Sequence, residues 1–289
     1  MRTIDGSRKL LVSVRDVEEA VAALAGGAEI IDVKEPTRGS LGRANEQTLS
    51  IIAQALTCDP SKTVMSAALG EVCDSSHADG YRVPDEVRFA KLGLSRLAGD
   101  SRWIERWDEV RKAYERVRGK TLDWVAVIYA DDVAAQSPSG DEIIASAAET
   151  GCVGVLVDTW SKREGTLLDL APVSKLVEWT ERVHENGMFF AVAGRLSQND
   201  LSRLYDVDTD VIAVRSAVCQ GQNRQRGWRL NGWQSYCGKS TGCQHSRHPC
   251  DELSWITLDI DPRDGQLRSC YREMVVNKPS VRGFVECLP

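Results

Sequence analysis

Short, nearly continuous apolar runs alternate along the chain with segments whose apolar residues recur at helical spacing. KLLVSV at Lys9–Val14 reads as a strand, and VEEAVAAL at Val17–Leu24 as a helix stopped by Gly26 and Gly27. The same reading predicts strands over Glu29–Val33, Lys62–Leu69, Phe89–Leu94, Trp124–Tyr129, Val153–Asp158, Met188–Ala193 and Val211–Val218. Helices are expected over Asn45–Leu56, Arg102–Val117, Asp141–Thr150, Leu170–Glu185 and Gln198–Tyr205. Strands that are apolar throughout belong to a parallel sheet covered on both faces. Crossovers between parallel strands are right-handed, and closing eight such units gives a (β/α)8 TIM-type barrel. An open, doubly wound nucleotide-binding sheet is disfavoured, because no GxGxxG follows the first strand.

The alternation stops after Cys219. Residues 1–219 are therefore assigned to the barrel, and residues 220–289 to an atypical C-terminal extension with no recognisable eighth helix. A hairpin from Trp255–Asp259 and Leu267–Val276, turning around Pro262-Arg263-Asp264-Gly265, is the one regular feature expected there. Five of the nine cysteines also lie in it: Cys237, Cys243, Cys250, Cys270 and Cys287. Cys237, Cys243 and Cys250, with His245 and His248, raise the question of zinc, but their spacing matches no standard finger, so no metal is expected. An odd number of cysteines and a first segment without an apolar signal-peptide core argue against a disulfide framework. A cytoplasmic location is the expectation. The length of 289 residues suits one barrel with an appendix. Net charge −6 gives no basic face for nucleic acid, and no apolar run is long enough for a membrane span.

Chemistry is sought at the C-terminal ends of the strands, where barrel enzymes keep their active sites. Strand two ends in IDVKEP, and its alternation places Asp32 and Lys34 on one side. Lys91 lies inside the apolar run RFAKLGL, and Asp158 and Lys162 close strand six in VDTWSK. A lysine in such a run is ordinarily a snorkelling side chain or half of an ion pair. Three lysines and two aspartates converging on one barrel mouth point instead to an amine kept neutral for imine formation, with neighbours that move protons. After strands seven and eight, Gly194, Arg195, Arg215, Ser216 and Ala217 occupy the usual barrel position for a phosphate. Gly39-Ser40-Leu41-Gly42 is either a backbone approach to substrate or a flexible connection. His77 and His184 are given no role.

The segments LLVSVRDVEEAVAALAGGAEIIDVKEPTRGSLGRA, SAALGE, FAKLGL, VDTWSK, VAGRL and VRSAVC occur in this order over about residues 9–219. Together they resemble the (5-formylfuran-3-yl)methyl phosphate synthases of methanofuran biosynthesis. The resemblance implies a (β/α)8 barrel, a homo-oligomer and a reaction without metal or organic cofactor. It implies that two molecules of glyceraldehyde 3-phosphate are joined, one after isomerisation to a ketone, with loss of phosphate and water. Lys34 matches the Schiff-base lysine, Lys91 the proton acceptor, and Asp158 and Lys162 further residues needed for activity. Arg195 and Ser216 depart from the family's small residues at the phosphate loops. Two other readings stay open: another Schiff-base aldolase for a phosphorylated sugar, and a non-enzymatic barrel with a metal-binding tail. The expected partner is a small phosphorylated substrate, not nucleic acid or membrane.

Overall fold

The computed structural model describes residues 8–57, 63–74, 80–161, 165–197 and 199–215, together with the strands at 253–260 and 267–275. Eight parallel strands form a closed barrel in chain order: β1 (Lys9–Val14), β2 (Ile30–Val33), β3 (Val64–Glu71), β4 (Val87–Gly93), β5 (Asp123–Tyr129), β6 (Gly154–Asp158), β7 (Phe189–Val192) and β8 (Val211–Val214). Closure is made within one chain, where β1 pairs with β8 through Lys9↔Val211 to Val12↔Val214. The expected (β/α)8 barrel is therefore present.

The helices on the outside are α1 (Val17–Ala25), α2 (Glu46–Thr57), α3 (Trp103–Arg118), α4 (Asp132–Ala135), α5 (Gly140–Glu149), α6 (Leu167–Leu170), α7 (Val173–Glu185) and α8 (Asp200–Arg203). Local chemistry sets their ends. The Asp16 carboxylate accepts the Glu19 N–H at 2.8 Å to start α1. A reciprocal Ser139/Glu142 capping box starts α5. The single helix expected over Leu170–Glu185 is instead two, α6 and α7. Pro172 stands before α7 without an N–H to continue the first turn. The helix expected over Gln198–Tyr205 is reduced to α8, whose first residue, Asp200, accepts the Ser197 N–H at 2.8 Å. The last strand is shorter than expected: β8 ends at Val214, Arg215 stands in a bend, and 216–218 lie outside the described residues. The short α4 and the 3-10 turn Pro36–Arg38 were not anticipated, since neither is long enough to show a helical period.

Alternation along the strands divides the core in two. Val12, Ile31, Ala90 and Ile212 face the helices, meeting Trp107 of α3 and Leu176 of α7 among others. Leu11, Ile30, Phe89, Val127, Leu156, Phe189 and Ala213 fill the barrel. In the extension, β9 (Leu253–Ile260) and β10 (Leu267–Val275) pair antiparallel, as the expected hairpin requires. The clustered Cys and His residues at 237–250 lie outside the described residues. No helix among the described residues is long and apolar enough to cross a membrane.

Candidate active site

The inward positions of the strands turn polar toward their C-terminal ends. Ser13 on β1, Asp32 on β2 and Ser66 on β3 are in register across neighbouring strands. Asp32 accepts from Lys91 Nζ of β4 at 2.5 Å and from Ser13 Oγ at 3.2 Å, and Ser66 also donates to it. Both charged side chains of this pair are only 3% exposed. Burial works against ionising Asp32. The charges of Lys91 and Lys34, with the hydrogen bonds from Lys91 and Ser66, outweigh it and hold the carboxyl below its ordinary range.

Lys34 continues the inner face of β2 one step beyond Asp32. Its Nζ lies 3.9 Å from Asp158 Oδ2, and its side chain is 14% exposed. Burial drives this ammonium below its ordinary pKa. Asp158 and Asp32 oppose the drop, Lys91 and Arg215 reinforce it, and the net direction is down. Asp158 at the end of β6 is held by the Thr159 N–H at 2.8 Å and by Ser40 Oγ at 3.3 Å. A lysine of lowered pKa beside a fixed carboxylate is suited to nucleophilic attack on a carbonyl and to the proton transfers that follow.

The βα loop after Lys34 is anchored rather than loose. Ser40 Oγ donates to the Thr159 carbonyl at 2.9 Å, and the Gly70 N–H donates to the Leu41 carbonyl at 3.0 Å. Leu41 is buried with the barrel interior. The loop after β6 is fastened in turn: Asp131 accepts the N–H groups of Trp160 and Ser161, each at 2.7 Å.

The structure thus brings Asp32, Lys34, Lys91 and Asp158 together. Gly194 lies in the turn after β7, where its carbonyl accepts the Leu167 N–H at 2.8 Å. Arg195 is exposed and reaches the Gly165 carbonyl at 3.5 Å. Arg215 is buried. Its guanidinium donates to the Ser13 carbonyl at 2.8 Å and to Glu19 Oε2 at 3.0 Å, so it ties the end of β8 to α1. Lys162, Ser216 and Ala217 lie outside the described residues. The sequence reading gave no role to Glu71, Tyr129 or Asp131. The signal for them was position, since all three stand at or just past the C-terminal ends of β3 and β5. Tyr129 donates to Glu71 at 2.5 Å. Burial, then the Glu71 carboxylate and the charges of Asp158 and Asp131, push this phenol well above its ordinary value.

Comparison with known proteins agrees with this arrangement. The family model of 4-HFC-P synthase matches residues 10–231, running past Cys219 into the extension. The chain is 33% identical over 229 residues to the (5-formylfuran-3-yl)methyl phosphate synthase of Methanococcus maripaludis strain C6, covering 75% of this chain and 92% of that protein. The protein of that name from Methanopyrus kandleri is 34% identical over 230 residues, covering 76% of this chain and 92% of its own. Among solved structures, CutC from Streptococcus agalactiae superimposes with a TM-score of 0.51 at 9% identity, covering 71% of this chain and 97% of that one, a likeness of fold alone. The ordered barrel, the lysine–aspartate mouth and the match over most of the chain place this protein in the 4-HFC-P synthase family.

Proposed function

We propose that this protein makes (5-formylfuran-3-yl)methyl phosphate from two molecules of glyceraldehyde 3-phosphate, one of them first converted to its ketone isomer. The observation that carries the reading is the buried mouth in which Lys34 Nζ stands 3.9 Å from Asp158 and shares its surroundings with the Asp32–Lys91 pair. The names of the relatives support the product. The Lys34 amine attacks a triose carbonyl, Asp158 passes the proton that lets water leave, and an imine results. The imine acidifies the neighbouring carbon, and Lys91, after handing its own proton across the ion pair to Asp32, takes that proton. With the imine on the aldehyde triose, loss of that proton expels its phosphate, and the terminal carbon of the resulting enol attacks the ketone carbonyl of the second triose. Ring closure, dehydration and hydrolysis of the Lys34 imine then release the furan aldehyde, with one phosphate and two waters lost in all, which balances the two trioses against the furan. Lys162 assists proton transfer through the resemblance alone. The departing and retained phosphates are assigned to the turn at Gly194, to Arg195 and, from the sequence, to Ser216 and Ala217, with Arg215 at the end of β8 supplying positive charge. The scheme calls on no cofactor, and the family resemblance adds a cytoplasmic homo-oligomer, which sedimentation would measure.

The test is direct. The protein is incubated with glyceraldehyde 3-phosphate, reduced with borohydride and digested. The expected result is a triose adduct on the Lys34 peptide, with free phosphate and an ultraviolet-absorbing furan aldehyde in the unreduced reaction. An adduct on another lysine, or neither adduct nor furan, defeats the reading. An adduct on Lys34 without a furan would favour a simple aldolase.

A further inference from the structure

The end of β3 holds a carboxylate that the scheme above leaves unused. We propose that Glu71 is a further catalytic residue, the base that carries the carbon-bound proton in the aldehyde-to-ketone conversion of one triose phosphate, and that Tyr129 is its positioning residue. The inference rests on the synthase reading and assigns one of its steps.

Ser66 and Ala68 face the barrel interior, so strict alternation would put residue 70 inside and Glu71 among the helices. The register of β3 against β4 slips between Ala68 and Glu71, and Gly70 takes φ +92°. That left-handed residue costs glycine little, and the irregularity turns Glu71 toward the mouth. On β4 the inward position after Lys91 is Gly93. A Cβ there would stand 2.2 Å from Glu71 Oε2, so the carboxylate occupies the space of an absent side chain. Tyr129 donates to Oε1 at 2.5 Å and the Ser95 N–H to Oε2 at 3.0 Å. Each carboxylate oxygen accepts two hydrogen bonds, so each keeps accepting capacity beyond these. Glu71 is half-buried whereas Tyr129 is 1% exposed, so substrate meets the carboxylate and not the phenol. A carboxylate fixed at both oxygens at the rim of a lysine-lined mouth is placed to move a proton between adjacent carbons.

The step balances without an oxidant. Glu71 takes the proton from the hydroxyl-bearing carbon beside the aldehyde. The C–H electron pair becomes the double bond of an enediolate as the carbonyl pair moves onto oxygen. The hydroxyl proton crosses to the former aldehyde oxygen, the ketone forms, and Glu71 returns its proton to the former aldehyde carbon.

The experiment measures two outputs of the full chain. One is deuterium incorporation from D2O into the carbon-bound positions of glyceraldehyde 3-phosphate and its ketone isomer. The other is furan formation, from glyceraldehyde 3-phosphate alone and with dihydroxyacetone phosphate added. Glu71→Gln is expected to lose deuterium incorporation into the ketone isomer and furan formation from the single triose by about 100-fold, and its furan formation to return to within about threefold of wild type when the ketone is supplied. Tyr129→Phe is expected to show a smaller loss, about tenfold, restored in the same way. Full deuterium incorporation into the ketone isomer in Glu71→Gln, or a loss of furan formation that the ketone does not restore, overturns the assignment. Should Glu71→Gln not fold, Tyr129→Phe decides: no restorable loss overturns it. Wild-type protein that exchanges deuterium yet makes no furan from the mixed trioses defeats the synthase reading while leaving Glu71 assigned as the base.

Discussion

At the scale of single residues, the site depends on how burial and charge divide between two lysines. Lys91 spends its charge on Asp32, deep in the barrel. Asp32→Asn would leave an uncompensated buried ammonium, and a loss of about 3–5 kcal/mol in stability is expected by urea denaturation. Adding Lys91→Met should recover most of that stability and none of the activity, because removing both charges costs less than leaving one of them buried and unpaired. The folded pKa of Asp32 lies below the unfolded 3.8. Its contribution is therefore complete above that value and is lost as pH falls through the lower folded value. Lys34 has the opposite character. Its folded pKa is below 10.5, so between the two values the unfolded chain holds a proton that the folded chain lacks, and stability rises with pH across that window. Lys34→Met should remove this rise in a pH series of denaturation curves. It should leave stability unchanged or higher at neutral pH and abolish activity.

At the scale of elements, two βα loops hold the chemistry in place. The loop after β2 depends on a close approach: a Cβ on Gly42 would lie 2.1 Å from the Glu35 carbonyl oxygen and 2.8 Å from Arg38 Cβ. Gly42→Ala should therefore displace Ser40 from Asp158 and Thr159 and lower kcat about 100-fold, as an ångström-scale misplacement does. Thermal denaturation is expected to shift only modestly, since the strands are untouched. The loop after β6 depends on Asp131. Asp131→Ala should speed hydrogen exchange at the Trp160 and Ser161 amides and reduce kcat with little change in fold. Helix boundaries were legible where capping chemistry is local, as at Asp16 and Ser139. They were misjudged where a loop residue decides, as at Pro172, or where a helix is a single turn, as with α4.

At the scale of the whole molecule, the barrel is closed by residues from its two ends. Beside the β1–β8 ladder, Glu19 of α1 receives Arg215 at 3.0 Å, and both side chains are buried. Arg15 donates to the same carboxylate at 2.9 Å. Burial raises the pKa of Glu19, but the two arginines outweigh it and lower the carboxyl below its ordinary value. Arg215→Met should cost about 3–5 kcal/mol and lower the urea midpoint, because Glu19 is left buried with one partner fewer. Eight strands, their parallel order and the polar residues at their ends were all legible in the sequence. Apolar runs, helical spacing and alternation are properties of neighbours along the chain. That Asp32 and Lys34 share one side of their strand followed from period-two geometry alone. Tertiary structure decided the partners. Asp32 could have paired with Lys34, its neighbour on β2, but register across β2, β3 and β4 gives it Lys91, while β6 brings Asp158 to Lys34. The slip at Gly70 that turns Glu71 inward, and the pairing of Arg215 with Glu19, depend likewise on strands and helices far apart in the chain. Local pattern determines what each segment becomes and which face it shows. Only closure of the barrel determines which charges meet.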